Sequence, residues 1–80
     1  MVMIMYVRLS QMREGERGTV VDVRGGHRAR QRLLGMGIAP GTKIVVIKVG
    51  FPGPYIIALG STRLALGRGI AKRIIVRREQ

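Results

Sequence analysis

Glycine and proline interrupt this chain so often that only short elements fit between them. Between Gly15 and Gly69 no stretch free of both residues is long enough for more than about two helical turns or one short strand. The stretches themselves are rich in Val, Ile and Leu. The β-branched members among them suit the pleated, half-buried surface of a sheet. Strands are expected at residues 1–8, Arg17–Val23, 43–49, Tyr55–Leu59, Thr62–Leu66 and Ile74–Arg78. Ser10 is placed to cap one helical turn after the first strand, with Leu9 and Met12 on one side of it. Gly25-Gly26 separates the second strand from a helix at about 27–36, and residues 50–54 form a Pro/Gly loop. Gly60-Ser61 is the turn of a hairpin, and residues 67–71 are a turn or one helical turn. Five or six short strands so punctuated predict an all-β domain: a small barrel with one inserted short helix, whose closure removes exposed sheet edges. Eighty residues make one such domain with a modest core.

The inserted helix and the turn after it carry the sharpest local signals. With Arg28 at 0° and about 100° per residue, Ala29, Leu33 and Met36 form one apolar stripe. Arg28, Arg32 and Gln31 fall opposite, and Arg30 and Leu34 share a third flank. Gly37 suits the left-handed position that ends a helix, with Ile38 returning an apolar contact to the last turn. Ala39-Pro40-Gly41-Thr42 reads as a type II turn into the next strand.

The formal net charge is +11, with twelve arginines and only four acids. Nucleic acid, an anionic membrane surface, an acidic protein partner and simple solubility all compete to explain it. The absence of cysteine removes disulfides and thiolate metal sites. Residues 1–7 are apolar but far short of the roughly 20 that span a bilayer, and they lack the flanks of a signal peptide. Glu14, Glu16, Asp22 and Glu79 form no catalytic pattern. Ser10 and Ser61 have no neighbouring base, and His27 has no companion ligands. No enzyme activity, cofactor or metal site is therefore expected. Gly25-Gly26 before a helix lacks the Gly-Lys-Ser/Thr ending of a phosphate loop and reads as a linker.

The helix and turn, with Arg30, Arg32, Leu33, Leu34, Gly37, Pro40, Gly41 and Thr42, resemble the R-x-L-L-x-x-G helix and small-Pro-Gly-Thr turn of the ferrous iron transport protein A (FeoA) family. Three further segments are similar to that family: Leu9-Ser10 with Met12 and Gly15, Arg63-Leu64-Ala65-Leu66, and Ala71 with Ile74 and Val76. The resemblance spans about residues 9–76 and implies an SH3-like barrel. It also implies a small cytoplasmic adaptor for the membrane ferrous iron transporter FeoB, which bears a cytosolic GTP-binding domain. Gly67-Arg68-Gly69-Ile70 departs from the basic-acidic helical turn usual in the family, so no role for acids there carries over.

Candidate partner-binding residues are Arg28, Arg30, Arg32, Leu33 and Leu34 on the helix, and Phe51, Pro52 and Tyr55 in and beside the loop. Leu33 and Leu34 point about 100° apart, so one packs inward and the other is free; the wheel favours Leu33 inside. Phe51 and Tyr55 either contact a peptide or cap the end of the barrel. An alternative function is RNA binding by a basic SH3-like barrel, weakened by the scarcity of aromatic residues for stacking. Alternation places Val45, Ile47, Ile56 and Ile75 on the outer face of the sheet, where a contiguous apolar patch would join copies into a homo-oligomer.

Overall fold

The computed structural model describes residues 4–50 and 52–79. Its strands are β1 (Met5–Arg8), β2 (Arg17–Val23), β3 (Lys43–Lys48), β4 (Tyr55–Leu59), β5 (Thr62–Leu66) and β6 (Ile74–Arg78). Helix α1 (His27–Gly35) lies between β2 and β3, and a single turn α2 (Arg68–Ala71) lies between β5 and β6. All six strands form one antiparallel sheet in the order β1-β6-β2-β3-β4-β5. The all-β expectation holds. The glycine-rich segment before β6 does keep one helical turn.

One face of the sheet is buried. Val20, Val23, Ile44, Val46, Tyr55, Ile57, Leu66, Ile74 and Val76 point into a common core. Leu9 and Met12 close one part of it, and Leu33, Ile38 and Ala71 complete it. The expected closure is incomplete: among the described residues β1 and β5 each pair on one side only, so the sheet keeps two edges, and Leu9, Met12, Leu33, Ile38 and Ala71 from the connecting segments help to cover its buried face.

Two bulges set which residues reach that core. Strict alternation in β2 would put Val20 and Asp22 on one side. Instead Val20 pairs with Val76 and Asp22 with Ile75, leaving Val21 as the extra residue. The slip turns Val23 inward and Asp22 outward. A matching irregularity between Val46 and Lys48 leaves Ile47 on the outer side that alternation gives it, 38% exposed, and sets Lys48 opposite outward Ile56, so that Val49 packs against the core.

The turn after β1 is a 3-10 helix at Leu9–Gln11. Ser10 does not cap it: the Arg8 N–H donates to Oε1 of Gln11 at 2.9 Å, a longer side chain reaching back from inside the turn.

Candidate functional site

Helix α1 starts at Gly26 without a side-chain cap and has no acid in its first turn. Its C-terminus is closed more firmly. The Ile38 N–H donates to the Leu33 carbonyl and the Gly37 N–H to the Leu34 carbonyl, each at 2.9 Å. This is the Schellman pattern, and it requires the φ of +91° that Gly37 supplies. The following turn has Gly41 at φ +95° and a bond from Thr42 N–H to the Ala39 carbonyl. Thr42 Oγ1 donates to the Gly37 carbonyl and accepts from the Ala39 N–H, both at 3.2 Å, joining helix end to turn. The Gly41 N–H then donates to the Val20 carbonyl, which anchors the unit to β2.

With the C-terminus so fixed, the helix has one rotation. Leu33 is 1% exposed in the core, and Leu34, one residue on, is 60% exposed. Leu34 shares its flank with His27, Arg30 and Gln31, and that flank faces a cleft of about 390 Å³. Val23, Gly25, Ile38, Ala39 and Pro40 complete its lining. The site therefore has an apolar floor, a protruding leucine and a polar rim. Arg28 and Arg32 lie outside the cleft on the exposed crest of the helix. Arg30 approaches Asp22 at 4.0 Å, but both side chains are about half exposed, so the pair holds neither firmly. Among the described residues Arg28 and Arg32 have no acidic partner.

The sequence-predicted loop does not join this site. Tyr55, expected as a partner contact or a barrel cap, is 1% exposed, and its hydroxyl donates to the Ser10 carbonyl at 3.3 Å. The contact reading is thereby corrected: inward alternation on β4 places the ring in the core. Leu33 is likewise unavailable to a partner, because the Schellman closure turns it inward. Pro52 is exposed but does not line the cleft, and Phe51 lies outside the described residues. The expected outer patch is divided. Val45 and Ile56 are half-buried near Ile47 on β3 and β4, whereas Ile75 stands beyond β2, opposite Arg8 and Asp22. Reading by residue type missed His27, Gln31, Ile38, Ala39 and Pro40 as lining. The shared flank of Arg30 and Leu34 on the wheel is the signal that points to them. Among the described residues no group of three or more His, Cys, Asp or Glu could hold a metal ion, and no helix is long and apolar enough to cross a membrane.

A family model described as the FeoA domain matches residues 7–78. The chain is 41% identical over 68 residues to a candidate Fe(2+) transport protein A of Methanocaldococcus jannaschii, covering 85% of this chain and 82% of that protein. It is similar to the crystal structure of an iron uptake regulatory protein (FeoA), with TM-score 0.88, 47% identity and coverage of 94% of this chain and 100% of that one. It is also similar to Stenotrophomonas maltophilia FeoA, crystallised with zinc and described as an SH3 domain protein, with TM-score 0.76 and 25% identity, covering 99% and 98% of the two chains. The fold is thus SH3-like.

Proposed function

The chain belongs to the FeoA domain family, and from that premise we propose that it is a non-enzymatic accessory factor of ferrous iron transport. It acts from the cytoplasm by docking on the cytosolic part of the FeoB transporter. The name of the Methanocaldococcus relative and the description of the Stenotrophomonas protein as a proposed ferrous iron transport activating factor support the transport assignment. The observation that carries the docking reading is the exposure of Leu34 at the mouth of an apolar cleft, on a helix whose Arg28 and Arg32 have no acidic partner among the described residues. A leucine held outward on a fixed helix supplies an anchor, and Arg28, Arg30 and Arg32 supply attraction to an acidic surface. A factor that binds one state of the transporter better than another shifts its activity by that difference in affinity. RNA is the weaker occupant, because burial of Tyr55 removes one of only three aromatic rings from any stacking surface.

Binding kinetics against the detergent-solubilised transporter test this reading. Leu34→Ser is expected to weaken binding by roughly tenfold or more, chiefly through faster dissociation. Replacing Arg28, Arg30 and Arg32 with glutamine is expected to slow association and flatten its salt dependence. Unchanged kinetics in both variants would refute docking through α1. Nanomolar RNA binding at physiological salt, with a steep salt slope, would favour the RNA reading instead.

The proposed mechanism needs no resident metal. Calorimetric titration with ferrous or zinc ion is expected to reveal no one-to-one site of micromolar affinity. A site of that strength would require a metal-dependent mechanism.

A further inference from the structure

The outward face of the sheet carries a second pattern, independent of the α1 cleft. Cross-strand partners point to the same side, so the register defines rows of neighbours. One row runs Tyr6, Arg77, Thr19, Lys43 across β1, β6, β2 and β3. The adjacent row runs Arg17, Val45, Ala58, Arg63 across β2, β3, β4 and β5. Arg17, Lys43, Arg63 and Arg77 are all exposed, while Thr19, Val45 and Ala58 are half-buried between them. A depression of about 310 Å³ lies on this face, with Val45 and Ala58 in its lining and Arg17 and Lys43 beside them. Glu79 is the single acid among the described residues that line it.

The β1 end of the first row is apolar. Tyr6 is 61% exposed, and Ile4, two residues upstream, is 57% exposed. In a protein bearing +11, exposed Ile and Tyr next to a field of arginines suit a partner that takes both kinds of group. A second copy of this chain repels that charge. RNA satisfies the arginines but gives an aliphatic side chain nothing to stack on. An anionic bilayer satisfies all of them: its phosphates meet the cations, and its interfacial zone accepts Tyr and Ile.

We propose that this face, through Arg17, Lys43, Arg63 and Arg77 with Tyr6 and Ile4, binds the surface of membranes containing anionic phospholipid. It shares no residue with the cleft beside α1.

Co-sedimentation with vesicles tests the proposal on the whole chain. The protein is expected to pellet with vesicles of equal parts phosphatidylcholine and phosphatidylglycerol, to stay in solution with pure phosphatidylcholine, and to be released as salt rises. Each cation removed from the face costs roughly fivefold in partition. Arg17→Gln, Arg63→Gln and Arg77→Gln together are therefore expected to lose roughly a hundredfold. A matched variant, Arg24→Gln, Lys72→Gln and Arg73→Gln, has the same net charge but alters the opposite end of β2 and β6, and it is expected to bind like the parent. Ile4→Ser with Tyr6→Ser is expected to weaken binding several-fold without changing its salt slope. All these positions are exposed, and thermal melting verifies the fold of each variant. Failure of the parent to pellet with the anionic vesicles, equal loss in the two matched variants, or tighter binding to an RNA oligomer than to the vesicles would each overturn the proposal.

Discussion

The Gly18→Val protein is expected to be unfolded at room temperature, and Gly18→Ala to lose about 3 kcal/mol or more. Gly18 is buried in β2, where a Cβ would overlap the Val76 side chain and sit 2.8 Å from the Arg77 carbonyl oxygen. Neither neighbour can yield. Val76 is fully buried, and the Arg77 carbonyl belongs to β6, the strand joined to both β1 and β2. Making room means separating β2 from β6, and β1, which among the described residues pairs only with β6, moves with it. A domain this small commands only about 3–5 kcal/mol in all. Gly35→Ala is the contrasting case. It lies at the end of α1 with open space where the Cβ would go, so it is expected to stabilise by about 0.5–1 kcal/mol. Circular dichroism melts of the three proteins check the ordering; a Gly18→Ala protein as stable as the parent would show that β2 and β6 are less tightly apposed than their register implies.

Adjacent leucines are expected to separate stability from binding. Leu33→Ala empties a buried position and should cost about 2–5 kcal/mol. Leu34→Ala removes a largely exposed side chain and should change stability by no more than about 0.5 kcal/mol. Under the docking proposal the functional effects reverse. The Leu34 variant melts like the parent but loses affinity for the transporter, whereas any Leu33 variant that remains folded keeps it. Denaturant titrations and binding measurements on the same preparations check both halves. Equal destabilisation by the two substitutions would mean that the helix is rotated about its axis.

The orientation of α1 is largely readable from local sequence. Ala29, Leu33 and Met36 form one stripe, and the Gly37-Ile38 ending sets where the helix stops, so Leu33 inside and Leu34 outside follow from local geometry. The hairpin Tyr55–Leu59 and Thr62–Leu66 is equally legible, because period-two alternation and a Gly-Ser turn act between near neighbours. Asp22 and Val23 are not. Their sides depend on a bulge whose cause is the pairing of β2 with β6, and the partner strand lies some fifty residues away. The burial of Tyr55 follows from the alternation it shares with Ile57; what local sequence does not record is the partner of its hydroxyl, the Ser10 carbonyl, 45 residues away.

What the sequence determined by itself was short-range: about where strands and helix begin and end, which side is apolar where alternation runs unbroken, and the family they compose. Backbone preference, side-chain periodicity and turn chemistry all act over a few residues. Only the tertiary structure decided which flanks became surfaces. The cleft beside Leu34 exists because Val23, Ile38 and Pro40 arrive from different segments, and the cationic rows on the sheet exist because register aligns Arg17 with Arg63 and Arg77 with Lys43. These juxtapositions are set by long-range pairing, which burial of the common apolar face selects and no local pattern records.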